Sequence, residues 1–411
     1  MIKVVQLQYS TASGGSSAIR LQKFFLKNNI ESSIISLLPD SLNSDEKIKY
    51  SGKWMQYISK LDNRLQAYLN RKVIKSYGSF SYPVLGCDVT NFEEIKNADF
   101  IYIHWALNGF LNLKSIAQIA ALKKPVILVM HDMWNITGGC HHSFTCEKYK
   151  TACNTCQMFL DAPKNDRSSK EFRRKLKLYS RYNNLYFVSP SKWLYECAKQ
   201  SALTKNKPLY YIPNAIDNKF FKPIDKLIAK NFLNINTDEI VIAFGAVSIE
   251  SPYKGWVYMQ KALEILHQQN EFKNISVLIF GSDYSKEVAD AIPFKIKFMG
   301  YLRDVYSTMF VYNAADVFIV PSVADNLPTT VQESLCCGTP VVGFEVGGIP
   351  DMIKHKENGY LAKYKDAADI VNGIKFCLQN KTKGYLLSEF EPDATVQKHI
   401  EMMESIKNSI Q

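Results

Sequence analysis

The chain has 411 residues, of which 46% are hydrophobic and 22% are charged, and its formal net charge is +11. This composition is typical of a folded protein with two domains of about 200 residues each. Its apolar runs fall short of the roughly 18 residues of a membrane-spanning helix, and no long apolar core follows the N-terminus, so we expect a cytoplasmic protein. The charge favours an anionic partner, but no nucleic-acid-binding motif accompanies it, so we expect no nucleic acid.

The first part of the chain alternates apolar runs with helical segments, which predicts a doubly wound parallel sheet. The first strand, residues 3 to 8, leads through Gly14 and Gly15 into a helix, and these glycines allow close backbone approach to a ligand. The loop lacks the G-x-G-x-x-G spacing of dinucleotide-binding enzymes. His131 follows the run VILVM, at a strand end where ligands gather in such sheets, although a lone histidine is also common in protein cores.

Two basic segments stand out in this part of the chain. Residues 49 to 75 hold seven basic residues and one acidic residue, interleaved with Trp54, Tyr57 and other apolar residues. The pattern predicts a basic amphipathic helix or helix pair, which either lies on an anionic membrane surface or packs on the sheet as a solvated helix. Residues 164 to 181 hold eight basic and two acidic residues.

Four of the nine cysteines fall within one short segment, at Cys140, Cys146, Cys153 and Cys156. Four thiolates would complete a tetrahedral structural zinc site, and such a dense cluster in a cytoplasmic protein is more often metal-binding than disulfide-bonded. The spacing differs from the usual paired C-x-x-C, and the neighbouring histidines 141 and 142 are rival ligands. The alternative is a loop packed by reduced cysteines.

A second domain is predicted to begin after the run PLYYIPN, with the boundary between residues 213 and 235. It opens with the strand EIVIAFG, which ends at Gly245, and continues to Lys254 before a helix. A lysine in that place suits the charge of a diphosphate, whereas the alternative is an unpaired surface lysine. Arg303, in GYLRD, follows another predicted strand end.

The most informative stretch runs from Ile319 to Ile353 and reads as strand, loop, helix, turn, strand and helix start. Pro328 suits the first position of the helix, and the two threonines after it offer hydroxyls and backbone donors at the helix's positive end. Glu333 lies one turn further on, and Asp325 lies in the incoming loop. The two acids therefore either flank a bound ligand or serve as a turn residue and a solvated helix residue.

The pattern PS-x₂-D-N-L-P-x₄-E-S-L-x₂-G-T-P-V-V-x₄-G-G-I-P-D resembles the donor-site motif of the family-four retaining glycosyltransferases, whose fold is GT-B. That motif has two glutamates separated by seven residues. In this chain the first position is Asp325 and the second is Glu333. The resemblance implies that Glu333 holds the ribose hydroxyls of a sugar nucleotide and that Asp325 contacts the transferred sugar. His131 would contact the same sugar and aid catalysis. The family's usual arginine is replaced by Ala246, so Lys254 would act with backbone amides or with Arg303.

The resemblance implies an α/β fold of two doubly wound, Rossmann-like domains that face each other across a cleft. Residues 1–218 would bind the acceptor and include a Cys-rich insertion at 138–157, residues 219–390 would bind the donor, and residues 391–411 would form a helix returning to the first domain. The implied catalytic residues are His131, Asp325 and Lys254. The implied donor-binding residues are Gly14, Gly15, Gly245, Lys254, Arg303, Asn326, Leu327, Pro328, Thr329, Thr330 and Glu333.

The implied activity is transfer of a sugar from a nucleotide-diphosphate sugar to a glycan or polyprenyl-linked acceptor, with retention of configuration and no cofactor required for catalysis. The segment HD-x-W-x₂-TGGCH with its cysteines resembles the colanic-acid subgroup, found in bacterial exopolysaccharide assembly. A lipid-linked acceptor and the basic segments lead us to expect contact with the inner face of the cytoplasmic membrane. The alternatives are a GT-B sugar-nucleotide epimerase and an inactive sugar-nucleotide-binding subunit.

Overall fold

The structure is a computed structural model that describes residues 1–11, 17–38, 47–246, 249 and 251–410. It divides into two compact units. The first unit runs from Met1 to Ala215 and includes the residues from Asp393 onward, and the second runs from Ile216 to Pro392. Gly14 and Gly15, which the resemblance assigned to the donor site, lie outside the described residues.

The described strands of the first unit form a seven-stranded parallel sheet in the order β3-β2-β1-β4-β5-β6-β7. These strands are β1 (Lys3–Ser10), β2 (Glu31–Leu38), β3 (Ile48–Tyr50), β4 (Phe100–Ile103), β5 (Val126–Val129), β6 (Leu185–Ser189) and β7 (Leu209–Tyr211). The central strands β4, β5 and β6 are buried along their whole length, which explains their continuous apolar sequences. The direction of winding changes between β1 and β4, and sheets of this kind bind ligands at such a switch point.

Helices cover both faces of this sheet, as parallel strands require. They are α1 (Ser17–Lys27), α2 (Lys53–Leu69), α3 (Glu93–Asn97), α4 (Leu113–Ala120), α5 (Arg167–Arg181) and α6 (Lys192–Gln200). The first basic segment is thus one α-helix followed by short 3-10 turns, and Lys49 at its start belongs to β3. The second basic segment forms α5, whose Lys175 is fully buried.

The described strands of the second unit form a six-stranded parallel sheet in the order β10-β9-β8-β11-β12-β13. They are β8 (Ile240–Gly245), β9 (Ile275–Phe280), β10 (Lys295–Phe298), β11 (Val317–Val320), β12 (Val341–Phe344) and β13 (Gly359–Ala362). The helices are α7 (Lys226–Phe232), α8 (Trp256–Gln269), α9 (Lys286–Asp290), α10 (Val305–Ala314), α11 (Thr329–Cys336), α12 (Ile349–Met352) and α13 (Ala367–Gln379). The core of this unit lies between the sheet and the helices α7, α10, α11 and α12.

The last helix, α14 (Pro392–Ile410), packs on the sheet of the first unit. Its Met403 and Ile406 are buried in one cluster with Tyr102 of β4. The Tyr102 hydroxyl lies 3.3 Å from Nδ1 of His399, and burial lowers the pKa of His399 to about 3, so this histidine is neutral. Among the described residues, no helix combines the length and the apolar character that crossing a bilayer requires.

Candidate functional site

The loop that follows β11 brings together two predicted site residues from distant parts of the chain. Nζ of Lys254 lies 2.8 Å from Oδ2 of Asp325, and the hydroxyl of Ser322 lies 3.4 Å from the same oxygen. Burial alone would lower the pKa of Lys254, but the charge of Asp325 outweighs burial and the pKa is raised. The lysine is therefore cationic at neutral pH and paired with a half-buried carboxylate.

Two glycines hold this loop in place from opposite sides. Gly347 has a φ of +59°, and a Cβ atom there would lie 1.8 Å from the carbonyl oxygen of Asp325. Gly255 has a φ of +70°, and its Cβ atom would lie 1.8 Å from the carbonyl oxygen of Pro321. Both positions need the left-handed backbone and the missing side chain of glycine. The KG and GGIPD segments are thus required for the position of Asp325.

Helix α11 follows the loop and begins at Thr329. Pro328 is the residue before the helix, with a φ of −63° and a ψ of 116°, so the prediction that it occupies the first helical position was wrong by one residue. The φ of proline suits a helix, but its extended ψ leaves it as the N-cap. Asn326, Leu327 and Pro328 are buried, whereas Thr329 and Thr330 are half-buried at the positive end of the helix.

Glu333 is buried in α11, with 6% of its surface exposed, which contradicts the alternative of a solvated helix residue. The hydroxyl of Tyr312, on α10, donates a hydrogen bond of 3.0 Å to Oε2 of Glu333. A buried carboxylate is costly unless it is bonded, so this contact fixes and stabilises the acid. Sequence reasoning missed Tyr312, which lies 21 residues away on another helix.

The remaining predicted residues of the second unit occupy other strand ends. Gly245 is the last residue of β8, and the buried Ala246 follows it, its amide donating to the carbonyl oxygen of Phe280 at 3.1 Å. Arg303 is exposed in the loop between β10 and α10. The structure joins Arg303 to neither Lys254 nor Asp325 by a hydrogen bond or an ion pair, and all three residues are described.

In the first unit, His131 lies just beyond the end of β5 and belongs to a row of hydrogen bonds. Its Nε2 lies 3.1 Å from Nδ1 of His104 and 3.3 Å from the hydroxyl of Ser17. The other nitrogen of His104, Nε2, lies 2.9 Å from the amide oxygen of Gln6 and therefore carries a proton. Neutral His104 must then accept at Nδ1, so His131 carries its proton on Nε2.

Both histidines are neutral at physiological pH. Burial lowers the pKa of His104 well below the ordinary value, and the neighbouring His131 lowers it further. Burial also lowers the pKa of His131, although the charge of Asp132 partly opposes this effect. The two rings are stacked, with centroids 5.4 Å apart. His104 and Gln6 therefore set the tautomer and the orientation of His131.

Asp132, the next residue, belongs to a second row that sequence reasoning missed. Nδ1 of His141 lies 2.5 Å from Oδ2 of Asp132, and Nε2 of His141 lies 2.8 Å from the hydroxyl of Ser81. The backbone amide of Trp134 donates to Oδ1 of Asp132 at 2.7 Å. Burial raises the pKa of Asp132, but the His141 ring and these hydrogen bonds outweigh burial and hold the pKa below its ordinary value. The HD pair in the sequence was a signal for Asp132, whereas Ser81, 60 residues from His141, gave none.

Residues of both rows line a pocket of about 20 Å³ at the ends of β4 and β5, including His104, Trp105, His131 and Asp132. This volume is room for about one water molecule. Its polar groups lie where ligands bind in sheets of this kind. The arrangement suits a hydroxyl-bearing ligand that exchanges hydrogen bonds with a neutral imidazole and a carboxylate.

The four clustered cysteines are free thiols. Burial, together with the neighbouring thiols of Cys146 and Cys156, raises the pKa of Cys153 to about 12, so these three cysteines lie within electrostatic reach of one another. In the described part of the chain, however, no group of three or more His, Cys, Asp or Glu side chains is placed to hold a metal ion. The two ring nitrogens of His141 lie within hydrogen-bond distance of Asp132 and Ser81. Structural zinc stays a prediction.

Known proteins resemble this chain in sequence. Residues 238–380 match the family described as Glycosyl transferases group 1. The chain is 26% identical over 192 residues to an uncharacterized glycosyltransferase of Haemophilus influenzae, and this match covers 44% of the chain but about half, 52%, of that relative. It is 21% identical over 418 residues to WcaC of Escherichia coli, a putative colanic acid biosynthesis glycosyl transferase, and covers 95% of this chain and 94% of WcaC.

The fold is also that of known transferases. The structure of HepE from Anabaena in complex with UDP-glucose matches 100% of this chain and 99% of HepE, with a TM-score of 0.61 and 15% sequence identity. Two parallel-sheet units with this likeness confirm the predicted fold class. The family match lies in the second unit, and the likeness to solved structures shows that the chain has the GT-B fold.

Proposed function

We propose that this protein is a retaining glycosyltransferase that moves a sugar from a nucleotide-diphosphate sugar to a hydroxyl of a glycan acceptor in bacterial polysaccharide assembly. The observation that carries the proposal is the contact of Lys254 with Asp325 beside the N-terminus of α11, inside the residues that match group 1 glycosyltransferases. That arrangement combines a cation, a carboxylate and the positive end of a helix.

Binding of the donor would change the partners of Lys254 and Asp325. The diphosphate would replace Asp325 as the partner of Lys254. It offers more charged oxygens to an ammonium group than one carboxylate does. Asp325 would then accept hydrogen bonds from the hydroxyls of the transferred sugar. Lys254 and the α11 N-terminus would stabilise the negative charge that grows on the leaving diphosphate, which is the main electrostatic task of the reaction.

Two further groups would orient the donor. Glu333, fixed by Tyr312, would accept hydrogen bonds from ribose hydroxyls. His131, held neutral in one tautomer, would contact the transferred sugar without adding a positive charge. The other predicted donor residues, Gly14, Gly15, Gly245, Arg303 and residues 326–330, are proposed to line the same site.

The proposed class of donor and acceptor is supported by the relatives. HepE was crystallised with UDP-glucose, which supports a nucleotide sugar as donor. WcaC is named for colanic acid biosynthesis, which supports an acceptor of a growing exopolysaccharide. We propose that this acceptor is polyprenyl-linked and that the protein works at the inner face of the cytoplasmic membrane. Catalysis would require no metal ion or other cofactor.

The function is tested in two stages. UDP-sugars and GDP-sugars are first screened for protection of the full chain against thermal unfolding, where a ligand at about 100 times its Kd adds roughly 2.7 kcal/mol. The protecting donor is then incubated with lipid-linked acceptor, and NMR identifies the product. We expect a glycoside with the donor's anomeric configuration. Isomerisation of the donor alone would show an epimerase, and protection without turnover would show an inactive binding subunit.

The cysteine cluster needs a separate test. Elemental analysis of the purified chain should find about one zinc ion per chain if four thiolates form a structural site. The Cys153→Ser, Cys156→Ser double variant should lose that zinc, whereas Cys377→Ser, a buried cysteine in α13, should keep it. Zinc-free protein of full stability would show that the reduced thiols pack the loop.

A further inference from the structure

Helix α2 is attached to the first unit by polar side chains as well as by Met55 and Ile58, which pack against its core. The buried residues of α2 are Ser59, Asp62 and Gln66. Oδ1 of Asp62 accepts hydrogen bonds from the backbone amides of Val84 and Leu85 at 3.0 Å and 2.8 Å. The amide nitrogen of Gln66 donates to the other oxygen of Asp62 at 2.6 Å. Asp62, the only acidic residue of α2, therefore forms hydrogen bonds that hold the helix to the protein.

The opposite side of α2 is aromatic and exposed. Trp54 is 70% exposed, Tyr57 is 52% exposed and Tyr68 is 61% exposed. The rings of Trp54 and Tyr57 stack on each other, with centroids 5.8 Å apart. At about 100° per residue, these three positions fall on one side of the helix. Large aromatic side chains left in water on one helix side indicate a surface that binds something.

A row of cations runs beside these rings. Lys53, Lys60 and Arg64 are exposed on the same side of α2, and Arg71 follows just beyond its end. The guanidinium of Arg71 lies 4.6 Å from the centre of the Tyr68 ring. Lys49 and Lys72, which flank the helix, are instead paired with Glu94 and Asp161. We call Lys53, Trp54, Tyr57, Lys60, Arg64, Tyr68 and Arg71 the aromatic-basic face.

We propose that the aromatic-basic face docks on an anionic lipid bilayer, with α2 lying parallel to the membrane surface. Tryptophan and tyrosine favour the headgroup region because one end of each ring is apolar and the other is polar. Lysine and arginine beside them meet the lipid phosphates. The face holds aromatic rings and positive charge together, with Asp62 turned inward, and this composition fits an anionic bilayer. The proposal rests on the proposed function in one respect, since a lipid-linked acceptor requires contact with a membrane.

Vesicle co-sedimentation of the full chain tests this proposal. The vesicles consist of phosphatidylcholine, with or without phosphatidylglycerol. We expect binding only with phosphatidylglycerol, and release as salt is raised, because screening shortens the reach of the attraction to about 8 Å at physiological ionic strength. Equal binding to both vesicles, or binding that salt leaves unchanged, would overturn the proposal. Retention on RNA with no retention on vesicles would show a nucleic-acid surface instead.

Two pairs of variants locate the surface. Lys60→Glu with Arg64→Glu should weaken binding by about 25-fold or more, because each cation contributes about fivefold. The matched control, Lys261→Glu with Lys286→Glu, makes the same change of charge at exposed lysines of the second unit and should bind more tightly than the face variant. Trp54→Ser with Tyr57→Ser should also lose binding, unlike Tyr284→Ser with Tyr306→Ser, which removes equally exposed aromatic rings. If face and control variants bind alike, the surface is elsewhere and the proposal fails.

Donor protection in the thermal screen separates the two proposals. Variants of the aromatic-basic face that no longer bind vesicles, but are still protected by the donor against unfolding, would support docking through α2. They would leave the proposed function intact. A wild-type chain that binds anionic vesicles but no sugar nucleotide would contradict the proposed function alone.

Discussion

The two units hold their candidate groups in opposite electrostatic states. In the second unit, Lys254 and Asp325 form a charged pair, and the loop of Asp325 leads into the positive end of α11. In the first unit, His104 and His131 are buried and neutral, and their protons are assigned by the hydrogen bond to Gln6. The difference suggests a division of labour, in which the second unit offsets the charge of a diphosphate and the first unit reads the uncharged hydroxyls of a sugar.

The largest expected effect comes from removing the charge of the second unit. Lys254→Met should lower kcat by about 100-fold to 1,000-fold, the usual cost of losing one donor to a developing negative charge. Lys254→Arg should keep part of the rate because it keeps the charge. The control is Lys261→Met, at an exposed position of α8. Equal rates for Lys254→Met and the control in steady-state assays would remove Lys254 from the reaction.

The next effect concerns recognition of the nucleoside. Glu333→Ala should cost roughly 2 to 4 kcal/mol of donor affinity or transition-state binding, because charged hydrogen bonds to ribose hydroxyls would be lost. The loss should appear in kcat/KM for the nucleotide sugar. Circular dichroism checks that α11 is still folded. A folded variant with unchanged kcat/KM would place Glu333 outside the site.

The neutral histidines of the first unit predict a pH dependence of stability. Their folded-state pKa values are lowered, so the unfolded chain binds more protons, and stability falls as the pH drops below about 6.5. At pH 5.5, His104 alone should account for about 1.4 kcal/mol of that loss. In urea titrations, His104→Gln should therefore show a shallower fall of stability with pH than the wild type. Parallel curves for the wild type and the variant would show that folding does not lower the pKa of His104.

The smallest effect tests the contact that fixes Glu333. Tyr312→Phe removes the hydroxyl that donates to Oε2 and should cost about 1 kcal/mol of stability. Donor KM should rise while kcat changes little, because the carboxylate remains but is less well oriented. Tyr360→Phe, which loses a hydroxyl that donates to the carboxylate of Asp369 at 3.1 Å, serves as the control. Equal donor KM values for the two variants would mean that Tyr312 plays no part in donor binding.

The sequence predicted the fold class because apolar strands and helix signals are local. It also predicted the start of helix α11 to within one residue, since the motif from Pro321 to Asp351 contains its own turn and helix-start residues. It did not predict partners that are distant in the chain. Ser81 contacts His141, and Tyr312 contacts Glu333, because separate elements pack together. Such contacts have no fixed spacing in the sequence from which they could be predicted.

The composition of the two basic segments did not predict which of their side chains are buried. Lys175 belongs to a segment read as basic, yet its ammonium is buried 3.5 Å from the centre of the Trp134 ring and donates to the carbonyl oxygen of Thr137 at 3.1 Å. Burial lowers the pKa of Lys175 to about 8, although Glu171 opposes this. Helix α2 shows the converse, because its polar residues are buried and its aromatic residues are exposed. A pattern of apolar and polar residues does not say which side of a helix faces the protein.

Calorimetric titration of UDP and GDP into the wild-type chain and into the Lys254→Met and Glu333→Ala variants tests the central claim most directly. We predict saturable binding of one of the two nucleotides to the wild-type chain. Binding should weaken in both variants, since one would lose a diphosphate contact and the other a ribose contact. Binding of equal strength to all three proteins, or of neither nucleotide to the wild-type chain, would contradict a donor site in the Asp325 loop and α11.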